Sequence, residues 1–305
     1  MKKKIKELCP HNIYELYGKI KFWIRFYFAR KGLISEMFKG LMGYEINWNH
    51  PQDINEKINW MKIYYDTSEW SLLADKYKVR AYVKERIGEN VLTQLYGVWK
   101  NANEINFNSL PSRFVLKTNH GAGTVIPVLD KEKLDISQTK KKLNDWLKVK
   151  YGYSTIEPHY LKIKPLIIAE EYLENADKFS TALVDYKVFC LSGKPYCILV
   201  CTNRVLCKHT DLSFYDCEWN PINDILDGKH KNEGSQIPKP KCLSMLLQYA
   251  TQLAKGHPQV RVDFYIINEK IYFGEMTFTS QGGYMDYISR KYSSEMGHKI
   301  TINKL

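Results

Sequence analysis

Apolar positions in the first part of the chain recur at helical spacing. Over residues 12–42, Ile13, Leu16, Ile20, Trp23, Ile24, Tyr27 and Phe28 follow a period of about 3.6, with Lys19, Lys21, Arg25, Arg30 and Lys31 distributed around them. Such a helix either packs on the main body or rests on an anionic lipid surface. Pro51 then breaks the chain. Asp53, with Glu56 three positions on, has the form of a capping box and predicts a helix over 54–65. A further helix is predicted over 70–87.

From Pro111 the pattern shortens to β-rich runs divided by turns. Strands are predicted over 114–118, 124–129 and 166–173, with a lysine-rich helix over 137–149 between the second and third. Strands follow over 182–190, 196–202, 259–267 and 270–277. One helix, over 242–255, succeeds the Pro238-Lys239-Pro240 stop. This mixture predicts an α+β fold. No internal repeat or low-complexity tract interrupts it.

Composition narrows the picture. A content of 44% hydrophobic and 13% aromatic residues supports a buried core and argues against disorder. The net charge of +12 calls for an anionic partner, without choosing among nucleotide, acidic glycan, nucleic acid and lipid. Seven cysteines, none in a CxxC pair, exclude a zinc ribbon or disulfide framework and fit the reduced thiols of a cytoplasmic protein. The apolar stretch at 22–29 carries Arg25 and lacks a small-residue cleavage site. It is also short of the roughly 20 apolar residues of a membrane span.

Four segments could carry chemistry. Phe114-Val-Leu-Lys117 runs into Thr-Asn-His120-Gly121-Ala-Gly123-Thr124, a strand ending at a lysine before a small-residue loop. Glycines let backbone N–H groups approach phosphate oxygens, and the lysine adds a point charge. By itself this is equally an ordinary hairpin with an exposed lysine. Leu166-Ile-Ile-Ala-Glu170-Glu171-Tyr172-Leu173 can present backbone groups to adenine and a carboxylate to ribose, or can be a buried strand with an acidic end. Asp185 and Lys187 share a strand face, and Arg204 ends the next run. These cations suit a phosphoryl group or a surface ion pair.

The fourth segment pairs Arg261-Val-Asp263 with Glu275-Met-Thr277. A hairpin with a three-residue loop at 268–270 sets Asp263 opposite Glu275 and Arg261 opposite Thr277, whereas a two-residue loop sets the acids on opposite faces. The three-residue loop is expected. Facing carboxylates repel unless a cation joins them, and hard oxygens beside phosphates suit Mg²⁺. They also repel a phosphate backbone, so no nucleic-acid partner is expected.

Taken in order, these motifs resemble the ATP-grasp superfamily. More closely, Lys117-Thr-Asn-His-Gly-Ala-Gly123, Asp185-Tyr-Lys-Val-Phe189 and Arg261-Val-Asp-Phe-Tyr265 with Phe273-Gly-Glu-Met-Thr-Phe278 look like its TupA-like branch, associated with teichuronopeptide and capsule synthesis. The 51–60 segment and Asp75-Lys76 also fit that branch.

The resemblance implies an ATP-grasp fold in which two α+β subdomains sandwich ATP behind a helical N-terminal region. The expected regions are a helical one at 1–70, a linking helical one at 71–110, a small subdomain at 111–173 and a large one at 174–305. It also implies ATP and Mg²⁺ as cofactors, and activation of a carboxylate to an acyl phosphate that an amine attacks. Carried over residue by residue, Lys117, His120, Gly121, Gly123 and Thr124 would hold phosphates, with Arg80 or Lys78 as an earlier cationic contact. Glu170, Glu171, Tyr172 and Leu173 would hold adenine and ribose, with Asp185 beside them. Lys187, Arg204 and Arg261 would act on the reacting groups, and Asp263, Glu275 and Thr277 on the metal. Thr277 departs from the asparagine that many relatives carry there, and helices through about residue 90 replace the superfamily's usual N-terminal α/β domain.

The expected partners are a uronic-acid-containing glycan and an amino acid, with peripheral membrane contact through the N-terminal basic-aromatic helix. The expected location is the cytoplasm, including the inner face of the membrane. Rival readings are a phosphotransferase acting on a glycan hydroxyl and a non-catalytic basic protein that binds nucleic acid or membrane.

Overall fold

The computed structural model describes residues 23–205, 209–227 and 237–302. Two antiparallel sheets organise the described residues. The smaller has the order β1 (Leu95–Trp99), β4 (Ile167–Glu171), β2 (Phe114–Thr118), β3 (Val125–Val128). Alternation in β2 buries Phe114, Leu116 and Thr118 and turns Val115 and Lys117 to the opposite face. The helix Ile136–Lys148 covers the buried face, packing Leu143 with Phe114, Leu116, Ile167 and Ala169. It starts at Asp135, whose carboxylate accepts the Gln138 N–H at 2.9 Å.

The larger sheet has the order β7 (His209–Tyr215), β6 (Lys194–Val205), β5 (Asp185–Leu191), β8 (Gln259–Ile267), β9 (Lys270–Thr277). One core joins Val188, Val262 and Phe264 of this sheet to Leu246 and Leu253 of the helix Leu243–Ala254. Ile54, Ile58 and Met61 of the helix Ile54–Tyr64 enter the same core. That helix opens with the expected capping box: the Glu56 N–H donates to Asp53 Oδ1 at 2.9 Å, and the Asp53 N–H to Glu56 Oε2 at 3.3 Å. The architecture is α+β, as the sequence pattern predicts.

Several expectations change. Of the helix expected over 12–42, residues 12–22 lie outside the described residues; 23–28 are helical, and after an interruption at Ala29 the helix Arg30–Met42 follows. The helix expected over 70–87 is two helices, Ser68–Leu73 and Val79–Ile87. Asp75 causes the break: its Oδ1 takes the Tyr77 and Lys78 N–H groups at 2.9 and 3.2 Å, as a capping carboxylate does at a new helix start. Strands β1 and β7 have no counterpart among the predicted elements. Gly97 weakens the strand signature of the first, and polar residues dilute it in the second.

The hairpin β8–β9 reaches the expected pairing by another route. Ile267 pairs with Lys270, so the loop is the two-residue Asn268-Glu269, both with positive φ (50° and 64°). A bulge at Gly274 then restores the face: Phe264 pairs with Phe273, but Asp263 pairs with Glu275 and Arg261 with Thr277. A Cβ on Gly274 would stand 2.9 Å from the Asp263 carbonyl oxygen, which is why glycine occupies the bulge.

The helix Arg290–His298 crosses the start of the helix Ile54–Tyr64 at Gly297, where a Cβ would stand 2.0 Å from the Gln52 carbonyl oxygen. Gly297→Ala gains at most about 1 kcal/mol of helix propensity. Against that, the added methyl must push the packed backbones away from each other, at a cost at the upper end of about 1–3 kcal/mol or beyond. Urea melts should show a net destabilisation of about 2 kcal/mol, and a stabilised variant would refute this packing.

His159 is fully buried between Trp70 and Tyr160, at ring separations of 5.6 and 4.3 Å, and neither ring nitrogen has a partner among the described residues. Burial, reinforced by Lys62 and Lys162, pushes its pKa down to about 3. The unfolded imidazole takes a proton near pH ~6.5, so stability present above that pH is lost as pH falls, at up to about 1.4 kcal/mol per unit. His159→Phe keeps an aromatic ring without the titration. Its stability relative to the native chain should rise between pH ~7 and ~5; a pH-independent difference would contradict the assignment.

Candidate active site

A cleft of about 370 Å³ opens between the two sheets. From the small sheet it receives Val115, Lys117 and Glu170, and from the loop after β2 it receives Gly121 and Gly123. From the large sheet come Asp185, Lys187, Asp263, Tyr265 and Glu275. Glu171, Tyr172 and Leu173 form the wall where the chain passes between sheets.

Strand alternation puts these groups there. The β2 face that carries Val115 and Lys117 is the one its helix leaves uncovered, and β4 pairs Glu170 with Val115. Lys117 Nζ stands 2.6 Å from Glu170 Oε2, and Arg80 stands 3.3 Å from the other carboxylate oxygen. In the large sheet, Lys187 is directly opposite Asp263, and Asp185 opposite Tyr265.

Charges alternate along this floor. Arg204 meets Asp185 at 2.5 Å, and Lys187 bridges Asp185 at 3.2 Å and Asp263 at 2.5 Å. Arg261 grips both Asp263 oxygens at 2.7 and 2.8 Å and reaches Glu275 at 3.4 Å. Lys76 closes the row, 3.1 Å from Glu275 and donating to the Gly121 carbonyl at 2.8 Å. Burial alone would lower the Lys187 pKa, but Asp263 and Asp185 raise it above the ordinary lysine value. Burial likewise opposes ionisation of Glu275, yet Lys76, Arg261 and Lys187 hold its carboxyl well below the usual range. Both groups stay charged at neutral pH.

The donor set suits a hard divalent ion shared with phosphates. Asp263 and Glu275 face each other across adjacent strands, and a third of the Glu275 side chain is open to the cleft. Among the described residues no group of three or more His, Cys, Asp or Glu converges on one point. Mg²⁺ is commonly held by only one or two carboxylates plus the substrate's phosphate oxygens, which fits this pair.

Other expected residues lie around the cleft rather than in it. Thr277 Oγ donates to Glu275 and receives Arg261, each at 3.2 Å, behind the carboxylates. His120 is buried with Nε2 3.0 Å from the Val149 carbonyl. Thr124 shares a 2.6 Å hydroxyl contact with Thr118 that closes the β2–β3 turn. Arg80 also donates to the Thr93 carbonyl at 2.6 Å, whereas Lys78 is exposed.

Lys76 had no assigned role from sequence. Nor had Asn119, which ties the glycine loop down: its amide donates to Asp75 at 2.9 Å and to the Lys164 carbonyl at 3.1 Å, and it accepts the Leu166 N–H at 2.7 Å. The available signal was a capping aspartate, Asp75, placed inside an otherwise helical stretch.

A sequence profile described as TupA-like ATPgrasp matches residues 56–301. The chain belongs to the TupA-like ATP-grasp family. Among solved structures it is similar to D-alanine–D-alanine ligase from Helicobacter pylori, at 14% identity and TM-score 0.43, over 83% of this chain and 68% of that one. The corresponding ligase from Bacillus anthracis, complexed with ATP, gives 14% identity and TM-score 0.37 over 68% and 54%. The ADP complex of N5-carboxyaminoimidazole ribonucleotide synthetase gives 11% and 0.43 over 69% and 46%. The chain thus spans a little over half the length of the Bacillus anthracis ligase. No curated protein matches the sequence.

In this ATP-grasp chain Lys76 joins the carboxylate pair to the glycine loop, so Lys76→Ala should loosen both. Nucleotide affinity, read by calorimetry with Mg²⁺ present, should fall at least about tenfold. Unchanged affinity would exclude Lys76 from the site.

Proposed function

We propose that this TupA-like ATP-grasp protein is an ATP-dependent ligase that joins a carboxylate to an amine, releasing ADP and phosphate. The observation that carries the reading is the Asp263–Glu275 pair, set among Lys76, Lys187 and Arg261 in the cleft of a chain that belongs to this family. When bound there, ATP would supply the phosphoryl group, and Mg²⁺ shared by Asp263 and Glu275 would neutralise its phosphate oxygens.

The chain's own groups divide the remaining work. Lys117 and the N–H groups around Gly121 and Gly123 orient phosphates. Tyr172 and Leu173 wall the base, and Glu170 and Glu171 offer carboxylates to the ribose. Lys187 and Arg204 stabilise the negative charge that builds as phosphate passes to the substrate carboxylate. Arg261 keeps Asp263 and Glu275 in register, and its planar fork suits that task better than an ammonium. The amine nitrogen then attacks the acyl carbon, the carbon–oxygen bond to phosphate breaks, and inorganic phosphate leaves with the amine's proton as the amide forms.

For the substrate we infer a uronic-acid carboxyl on a cell-surface glycan precursor, with an amino acid as the amine. Arg204 supports this choice: with 36% of its side chain exposed at the cleft, it can meet an acidic sugar while still bound to Asp185. The net charge of +12 favours an anionic substrate as well.

The test is ADP release across a panel of uronic acids and amino acids, with mass analysis of the product. Release should need both substrates and give a product lighter than their sum by one water. Lys187→Ala and Asp263→Asn should each lower turnover about a hundredfold or more. A product heavier by one phosphate, formed without amine, would instead establish the phosphotransferase.

A further inference from the structure

The helical residues 23–28 have one side against the body of the protein. Phe26 is buried 4.8 Å from the Tyr153 ring, Trp23 lies 4.5 Å from the same ring, and the Tyr27 and Tyr153 hydroxyls are 3.3 Å apart. Packing is therefore satisfied on that side. The other side stays open: Ile24 is 56% and Phe28 88% exposed, and Tyr27, at the border, is 57% exposed despite its Tyr153 contact. Ile24 and Phe28 are one helical turn apart, so they form a continuous apolar face with Tyr27 beside them.

Cations lie beside this helical segment and its neighbours. The Lys150 ammonium lies 5.6 Å over the Trp23 ring, which brings the segment after the helix Ile136–Lys148 alongside. The Arg30 guanidinium is 5.1 Å over the buried Phe26 ring, and the exposed Lys31 is 5.3 Å over Trp48. Single exposed apolar residues are ordinary on a protein surface. A contiguous aromatic and aliphatic face flanked by cations has the chemistry of a helix lying in a lipid headgroup layer.

We propose that this face docks on an anionic lipid bilayer. Ile24, Tyr27 and Phe28 enter the boundary between headgroups and acyl chains, while Arg30, Lys31 and Lys150 meet lipid phosphates. A second copy would bring like charges against each other across a two-fold contact. Among the described residues no helix is long and apolar enough to cross a membrane, so the contact is peripheral. Lys150 itself lies between Val149, which meets His120, and Tyr151, which lies beside Gly121 of the cleft, where an added Cβ would stand 3.1 Å from its ring.

Flotation of the full chain is the test, with vesicles of equal amounts of phosphatidylglycerol and phosphatidylcholine against phosphatidylcholine alone. The chain should float with the anionic vesicles only, and less as salt rises. The double variant Ile24→Ser, Phe28→Ser should weaken partition about tenfold or more. Lys150→Glu, at an exposed position that leaves the fold intact, should weaken it about tenfold. No flotation, or equal flotation with both vesicles, overturns the proposal. So does flotation that survives both variants. Dimerisation abolished by the double variant, without vesicle binding, would assign the face to a second copy. Flotation is read without turnover, so its failure leaves the ligase reading standing.

Discussion

Two carboxylates held face to face across a β-hairpin are the constraint on which the site depends. Asp263 and Glu275 sit on adjacent strands in direct register, and the desolvation and repulsion of such a pair have to be offset. Lys187, Arg261 and Lys76 do so, each within hydrogen-bonding or ion-pairing reach. Glu275, the more open of the two, is left as a charged carboxylate facing the cleft.

That arrangement extends outward along the chain. Lys187 belongs to the central strand of the large sheet, and its second partner, Asp185, binds Arg204 at the end of the neighbouring strand. Lys76 belongs to the helix break at Asp75, which Asn119 ties to the glycine loop and to the entry of β4. The carboxylate pair, the glycine loop and the strand leading to Glu171, Tyr172 and Leu173 are thus joined by polar contacts as well as by the backbone.

The helices ahead of the small sheet belong to this support. Ile54, Ile58 and Met61 share the core of the large sheet, and Gly297 lets the C-terminal helix close over the start of the same helix. Removing the helical region would therefore uncover the large sheet's own core. Its outer side, by contrast, leaves Ile24 and Phe28 in the open.

Much of the site was legible in the sequence because strand alternation is local. Alternation in Phe114–Thr118 sets Val115 and Lys117 opposite Phe114 and Leu116, and in Gln259–Ile267 it sets Arg261, Asp263 and Tyr265 on one face, with no tertiary contact needed. The capping box at Asp53 and Glu56 was equally local. The β8–β9 register was anticipated correctly but for the wrong reason. Periodicity assumes one residue per step, and only the folded hairpin shows that Gly274 bulges to compensate a two-residue turn. Lys76 and Asn119 were beyond sequence for a related reason. Each acts on a partner more than forty positions away, Lys76 on Gly121 and Asn119 on Asp75, through a helix break that a helical period cannot signal. The sequence by itself determined which residues share a strand face; the tertiary structure decided which of those faces line the cleft and which side chains meet there, since contacts between distant segments depend on how the two sheets and their helices pack.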